Sequence, residues 1–179
     1  MNTKVLKLVL LVTMLTSFSF LGIAQNSTPT TPKEKRAAML TPQYYTNWIG
    51  ASFLTIPTVE SEFEVRPVRI IDLTFFYDFG DCFVGMKSNE EGVVVQMTVR
   101  LFSDQAIDFI QKAIDYGYVL VGKGTDINVR SNARDIITDV YESNVKRFRK
   151  STDHGNMYME VGTSSRSAHE YEIAIFRAK

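Results

Sequence analysis

Residues Val93 to Gly124 read VVVQMTVRLFSDQAIDFIQKAIDYGYVLVGKG, and two different periods run through them. From Val93 an apolar residue recurs at every second position, through Val95, Met97, Val99 and Leu101, while Gln96, Thr98 and Arg100 take the intervening sites. Neighbouring side chains on a strand point to opposite faces, so this alternation predicts a half-buried strand. Beyond it the period lengthens. Ala106, Ile107, Ile110, Ala113 and Ile114 recur at helical spacing, and Asp108, Gln111, Lys112 and Asp115 fall on the wet side. Ser103 or Asp104 supplies a cap for the free amides of the first turn, and Gly117 suits a left-handed stop. Tyr118 to Val121 then returns to β character, so the stretch is a strand, a helix and a strand.

The flanking residues extend the same pattern. Val68 to Tyr77 (VRIIDLTFFY) is rich in β-branched and aromatic residues and predicts one strand. Asp78 to Asp81 contains Gly80 and reads as a turn, Cys82 to Lys87 as a second strand, and Ser88 to Gly92 as a hairpin loop. Downstream, Met157 to Val161 and Tyr171 to Phe176 form a closing hairpin across Gly162 to Ala168. Met157, Met159 and Val161 share one face there, as do Tyr171, Ile173 and Ile175. Asp126 to Asn132 is read as a loop. In Ala133 to Asn144 the placing of Ile137, Val140 and Tyr141 suits a helix while the β-branched content suits a strand, and both stay open. The sum is an α+β fold: a mostly antiparallel sheet of about five to seven strands with two or three helices on one face.

The first residues do a different job. Lys4 and Lys7 precede an apolar run from Leu8 to Leu15, and Gly22-Ile23-Ala24 presents small residues where a signal peptidase reads. Thr13, Thr16, Ser17 and Ser19 interrupt the run, whereas a membrane span wants about twenty predominantly apolar residues. Residues 1–24 are therefore expected to be a bacterial-type signal peptide, with no transmembrane anchor left after cleavage. Residues 25–31 (QNSTPTT) read as a flexible tether. Residues 32–179 are expected to be a single globular domain, in the periplasm or secreted. Thr31-Pro32-Lys33-Glu34 has the punctuation of a helix start. Pro42 discourages helix at Thr41, with a further turn through Tyr45. From Trp48 to Val59 the pattern is β-like, through Ile49, Phe53, Leu54 and Ile56, and ends at Pro57.

Charge excludes some partners. Lys plus Arg and Asp plus Glu number 20 each, and removing residues 1–24 takes away Lys4 and Lys7 but no acid. A balance so close to neutral exerts no long-range pull on nucleic acid or an anionic membrane. Cys82 is the one cysteine, so no intramolecular disulfide forms.

Motifs that carry chemistry are sparse. Gly117 to Gly124 (GYVLVGKG) imitates a phosphate-binding loop, yet Gly124 stands where Ser or Thr must hold magnesium. Asp78-Phe79-Gly80 spells a kinase triplet without the motifs that accompany it. Cys82 with His154 or His169 has the residue types for a thiol nucleophile and its base, but alternation puts Cys82 beside Val84 and Met86 on one strand face. The two histidines do not have zinc-helix spacing, and Asp126-Ile127-Asn128 lacks the glycine and closing acid of a calcium loop. Asp72, Asp78 and Asp81 lie near strand ends, where a pair of carboxylates could act on a glycoside. Lys146, Arg147, Arg149 and Lys150 form a basic cluster around Phe148, read as an exposed edge guarded by charge.

The aromatic residues are the remaining compositional feature. Tyr44, Tyr45 and Trp48 fall within five positions, and Phe75, Phe76, Tyr77, Phe79 and Phe83 within nine. Such rings either fill a core that has no disulfide or stack on a sugar or a partner's surface. In the latter case Tyr44, Tyr45 and Trp48 are the ligand-binding candidates. No spacing demanded by catalysis or by a cofactor or metal survives. The expectation is thus an exported binding module for a protein or glycan of the cell envelope. Two alternatives remain: a small secreted hydrolase using Asp78 or Asp81, or Cys82 with a histidine, and a structural component of an envelope assembly.

Overall fold

Alternating residues need a sheet to pair their backbone and a layer to cover their apolar side, and the fold supplies both. The computed structural model describes residues 41–52, 65–122, 125–126, 132–141, 145–165, 167 and 169–178. The expected signal peptide, tether, helix start at Thr31 and β-like residues from Phe53 to Val59 lie outside them. The described residues belong to one compact unit, Thr31–Lys179.

Helix α1 (Pro42–Trp48) comes first, then β1 (Arg69–Ile71), β2 (Thr74–Asp78), β3 (Phe83–Ser88) and β4 (Val94–Phe102). Helix α2 (Ser103–Asp115) leads to β5 (Val119–Gly122) and β6 (Thr125–Asp126). Helix α3 (Ala133–Tyr141) leads to β7 (Lys146–Thr152), β8 (Gly155–Thr163) and β9 (Glu170–Arg177). The strands form one sheet in the order β1-β2-β3-β4-β9-β8-β7-β5-β6, antiparallel at every pairing. The architecture is α+β.

The nine strands exceed the five to seven expected, for local reasons. Val68 to Tyr77 is a hairpin rather than one strand: Ile71 pairs with Thr74 across Asp72 and Leu73, whose φ angles are 47° and 61°. Positive φ at both central residues defines the mirror-image turn that matches the twist of a hairpin. Leucine rarely adopts it, so the break was invisible in an apolar run. Strand β6 has two residues, too few to show any period.

The best-patterned strand also shifts phase. Lys87 pairs with Gln96 but Ser88 pairs with Val94, leaving Val95 as an extra residue on β4. This bulge puts Val94 in the core with Met97, Val99 and Leu101, and turns Val95 outward. The unbroken face expected from Val93 through Val95 is therefore corrected to one that starts at Val94. Three consecutive valines hid the change.

Strands β4 and β5 flank α2 in sequence but not in the sheet, where β9, β8 and β7 stand between them. Helix α2 packs on β4, β9 and α3 and turns Ala106, Phe109, Ile110 and Ala113 into the core. Gly117, at φ 100°, ends it. Residues 133–141 resolve as helix α3, whose first turn is capped by Asn132 Oδ1 accepting from the Asp135 amide at 2.9 Å. As expected, Thr41 is not helical, and the further turn through Tyr45 is α1: the extended Thr41 caps it, its side chain accepting from the Tyr44 amide, and Pro42 takes the first turn. Trp48 is therefore helical, and among the described residues of that stretch an isolated bridge joins Ser52 to Val93.

The helices pack against each other and against β4, β8 and β9 on one face. There Tyr77, Val84, Met86, Val99, Ile173, Ile175, Met159 and Phe148 join Tyr45, Trp48, Phe109 and Ile136 in one core. The opposite face carries the alternate residues, and no described helix covers it. The closing hairpin is as expected, with Met159 opposite Ile175 and Val161 opposite Ile173.

Candidate functional site

The uncovered face is built from side chains that alternate with the core. In register across β2, β3, β4 and β9, Phe76, Gly85, Thr98 and Ala174 form one row. Phe83, Arg100 and Glu172 form the row beside it. Phe76 and Phe83 stack with ring centroids 5.9 Å apart. The Phe76 ring also lies against Gly85, where an added Cβ would come within 3.4 Å of it. Glycine thus lets the ring lie flat on the sheet.

Arg100 is held from two sides. Its Nε donates to Glu172 Oε2 at 2.7 Å, and its guanidinium sits 5.4 Å from the Phe83 ring centroid. Gln96 donates to Thr98 Oγ1 at 3.1 Å on the same face. These groups and Lys87 line a furrow of about 270 Å³ in which two phenylalanine rings stand among polar and charged side chains. Across β9 and β8 a second pair, Phe176 and Tyr158, stacks at 6.1 Å, and Arg147 lies over Tyr158 while pairing with Glu160. The face therefore offers two aromatic platforms, each bordered by an arginine whose direction a glutamate sets.

Sequence reasoning singled out different aromatic residues for binding. Tyr45 and Trp48 are buried in the core, where Tyr45 meets Phe109 edge-on at 5.7 Å, and Tyr44 is half-buried against both of them. Burial holds the Tyr45 hydroxyl well above the usual tyrosine range, with Cys82 and Tyr44 adding to the effect. Tyr45 and Trp48 serve packing. The second aromatic group divides by parity: Phe75, Tyr77 and Phe79 face or join the core, while Phe76 and Phe83 reach the uncovered face. Gln96, Thr98 and Arg100 were visible as the polar half of an alternation. The same alternation in β8 and β9 set Tyr158, Glu172 and Phe176 off the core face, but not which residues they meet, because those partners are remote in sequence.

Among the other candidates the thiol and the histidines do not converge, while Asp78 and Asp81 flank one turn, closed by the Phe79 amide donating to the Cys82 carbonyl at 3.0 Å. Cys82 is buried. His154 lies in the β7–β8 turn, beyond Gly155, which stands seven residues along β8 from the row of Phe83 and thus roughly 23 Å away. His169 is exposed and stacks on Tyr141 at the sheet end nearer Cys82, two strands from it. Asp78 accepts from the Gly80 amide at 2.8 Å, the ordinary task of a turn aspartate. Asp72 is at the other end of β2, roughly 20 Å from Asp78 and far outside glycosidase spacing.

Within Gly117 to Gly124, residues Val119–Gly122 are a strand, and Lys123 and Gly124 lie outside the described residues. Among the described residues no group of three His, Cys, Asp or Glu could hold a metal.

The basic cluster is corrected too. Strand β7 is not an edge; it lies between β8 and β5. Phe148 is in the core, Lys146 pairs with Asp139 of α3 at 2.9 Å, and Lys150 donates to the Tyr116 carbonyl at 2.6 Å. Its cations point to both faces, and those described here are tied to neighbours.

No family model, curated protein or solved structure matches the chain. Among the described residues no helix is long and apolar enough to cross a membrane.

Proposed function

We propose that the protein is an exported binding module whose recognition surface is the uncovered sheet face, and that its ligand is a glycan of the cell envelope. The observation that carries this reading is the furrow beside the Phe76–Phe83 stack. A sugar presents an apolar C–H face and a rim of hydroxyls. The furrow offers a ring surface for the first, and Lys87, Gln96, Arg100 and Glu172 as donors and acceptors for the second. Both charge signs are present, which suits a polar ligand without strong net charge. Export rests on the reading of residues 1–24, and sequencing protein recovered outside the cytoplasm should find Gln25 at its terminus.

An array of bacterial envelope glycans, probed with the purified protein, tests the reading. Phe76→Ala should weaken retention about tenfold, the order expected for losing one stacked ring. Arg100→Gln should weaken it as well. Retention of no glycan, or equal retention by both variants and the native protein, would end the proposal. The envelope-assembly alternative gains little support, because pairing with a neighbour needs a long free edge and the outermost strands, β1 and β6, have three and two residues.

A further inference from the structure

Arg177 closes β9 on the core face, one register step beyond Ile175, and reaches under the end of α1. Its Nη2 donates to the Ile49 carbonyl at 3.4 Å. Its guanidinium lies on Gly50, where an added Cβ would approach Nη1 to 3.3 Å. Gly50 has φ 91°, so the backbone there both turns left-handed and makes room for the cation. Arg177 Nε is buried and has no hydrogen-bond partner among the described residues, and no carboxylate there forms an ion pair with the side chain. A buried arginine donor left open is costly, since the guanidinium cannot shed its charge.

The side chain forms a wall of a cavity of about 620 Å³ between α1 and the β7–β8 turn. Asn47, Tyr116 and His154 also line it, so amide and imidazole donors accompany the arginine. Asp153 is the acid of the lining and is exposed at the turn. The size is that of a small-molecule site.

We propose that this cavity is a second binding site, separate from the sheet face, that takes a small ligand through an oxyanion group, carboxylate or phosphate, held by the Arg177 fork. Arginine matches both groups with two parallel N–H bonds, and because Nε is enclosed, the Nη hydrogens not spent on Ile49 supply them. The site lies at one end of the core layer and does not depend on the sheet-face reading.

Inorganic phosphate and succinate, each compared with chloride at equal ionic strength, serve as probes. In nitrogen-correlated spectra of the full chain, the Arg177 Nε–H signal should move saturably with one of them, which also distinguishes the two sources of oxyanion. Arg177→Lys retains the charge but loses the fork, and should bind that probe at least fivefold more weakly. An Nε–H signal that ignores both probes, or follows them as it follows chloride, would mean that the guanidinium holds no oxyanion and would overturn the proposal. Equal affinity of Arg177→Lys would do the same. If that variant does not fold, the native titration alone decides.

Discussion

The hydroxyl oxygens of Thr46 and Tyr118 lie 2.7 Å apart, joining α1 to the residue that precedes β5. The Thr46 hydroxyl also lies 2.8 Å from the Pro42 carbonyl, which can only accept. Its one proton is spent there, so Tyr118 is the donor in the pair. Removing the acceptor is therefore worse than removing the donor. Thr46→Val strands a buried phenol and should cost about 1–3 kcal/mol, whereas Tyr118→Phe should cost about 0.5–1.5 kcal/mol. Urea denaturation of both variants checks the order, and a reversed ranking would contradict the assignment.

The same phenol makes stability depend on alkaline pH. Burial raises the Tyr118 hydroxyl from 10.0 to about 12, with Thr46 opposing the shift and Tyr116 adding to it. Between those values the unfolded chain loses the proton that the folded chain keeps. The contribution is complete below pH 10 and is lost as pH rises toward 12, at up to about 1.4 kcal/mol per pH unit. Tyr45 is raised in the same sense. Tyr118→Phe should flatten the curve of unfolding free energy between pH 10 and 12, and a slope unchanged by the substitution would refute the linkage.

Leu73 occupies a left-handed position that costs a β-carbon-bearing residue about 1–2 kcal/mol. Its side chain is 44 % exposed and its carbonyl accepts from the Ser88 amide, a bond that any residue retains. Leu73→Gly creates Asp-Gly, the favoured pair for this turn, and should stabilise the fold by about 1 kcal/mol. A lower urea midpoint for the variant would show that the leucine packs more than it strains.

Lys150 meets the end of α2, donating to the Tyr116 carbonyl with its ammonium 4.1 Å from the Tyr116 ring centroid. A cation at a helix C-terminus and over an aromatic face gains from both. Lys150→Met should cost about 1–2 kcal/mol. Lys112→Met removes only the exposed pair with Asp108 and should stay within about 0.5 kcal/mol. Equal melting temperatures for the two variants would remove the distinction.

Cys82 is 5 % exposed, so its thiol should resist a disulfide reagent in native buffer and react stoichiometrically in denaturant. Rapid labelling of the folded protein would revive the thiol hydrolase reading.

Local patterning was enough for the α+β class and for α2, β8 and β9, because burial of one face leaves a period in any element long enough to repeat it. The same residues could not reveal that β9, β8 and β7 separate β4 from β5, since strand order is a choice among remote partners. They could not reveal the bulge at Val95, because a phase shift inside three valines changes no letter of the pattern. The candidate site divides on the same line. Alternation already set Gln96, Thr98 and Arg100 apart from the core. Bringing Glu172 to Arg100, 72 residues away, took the pairing of β4 with β9. Tyr45 and Phe76 are equally aromatic in the sequence. One faces the helices' core and the other the open face, because the packing of whole layers, rather than residue type, decides which side of a sheet is covered.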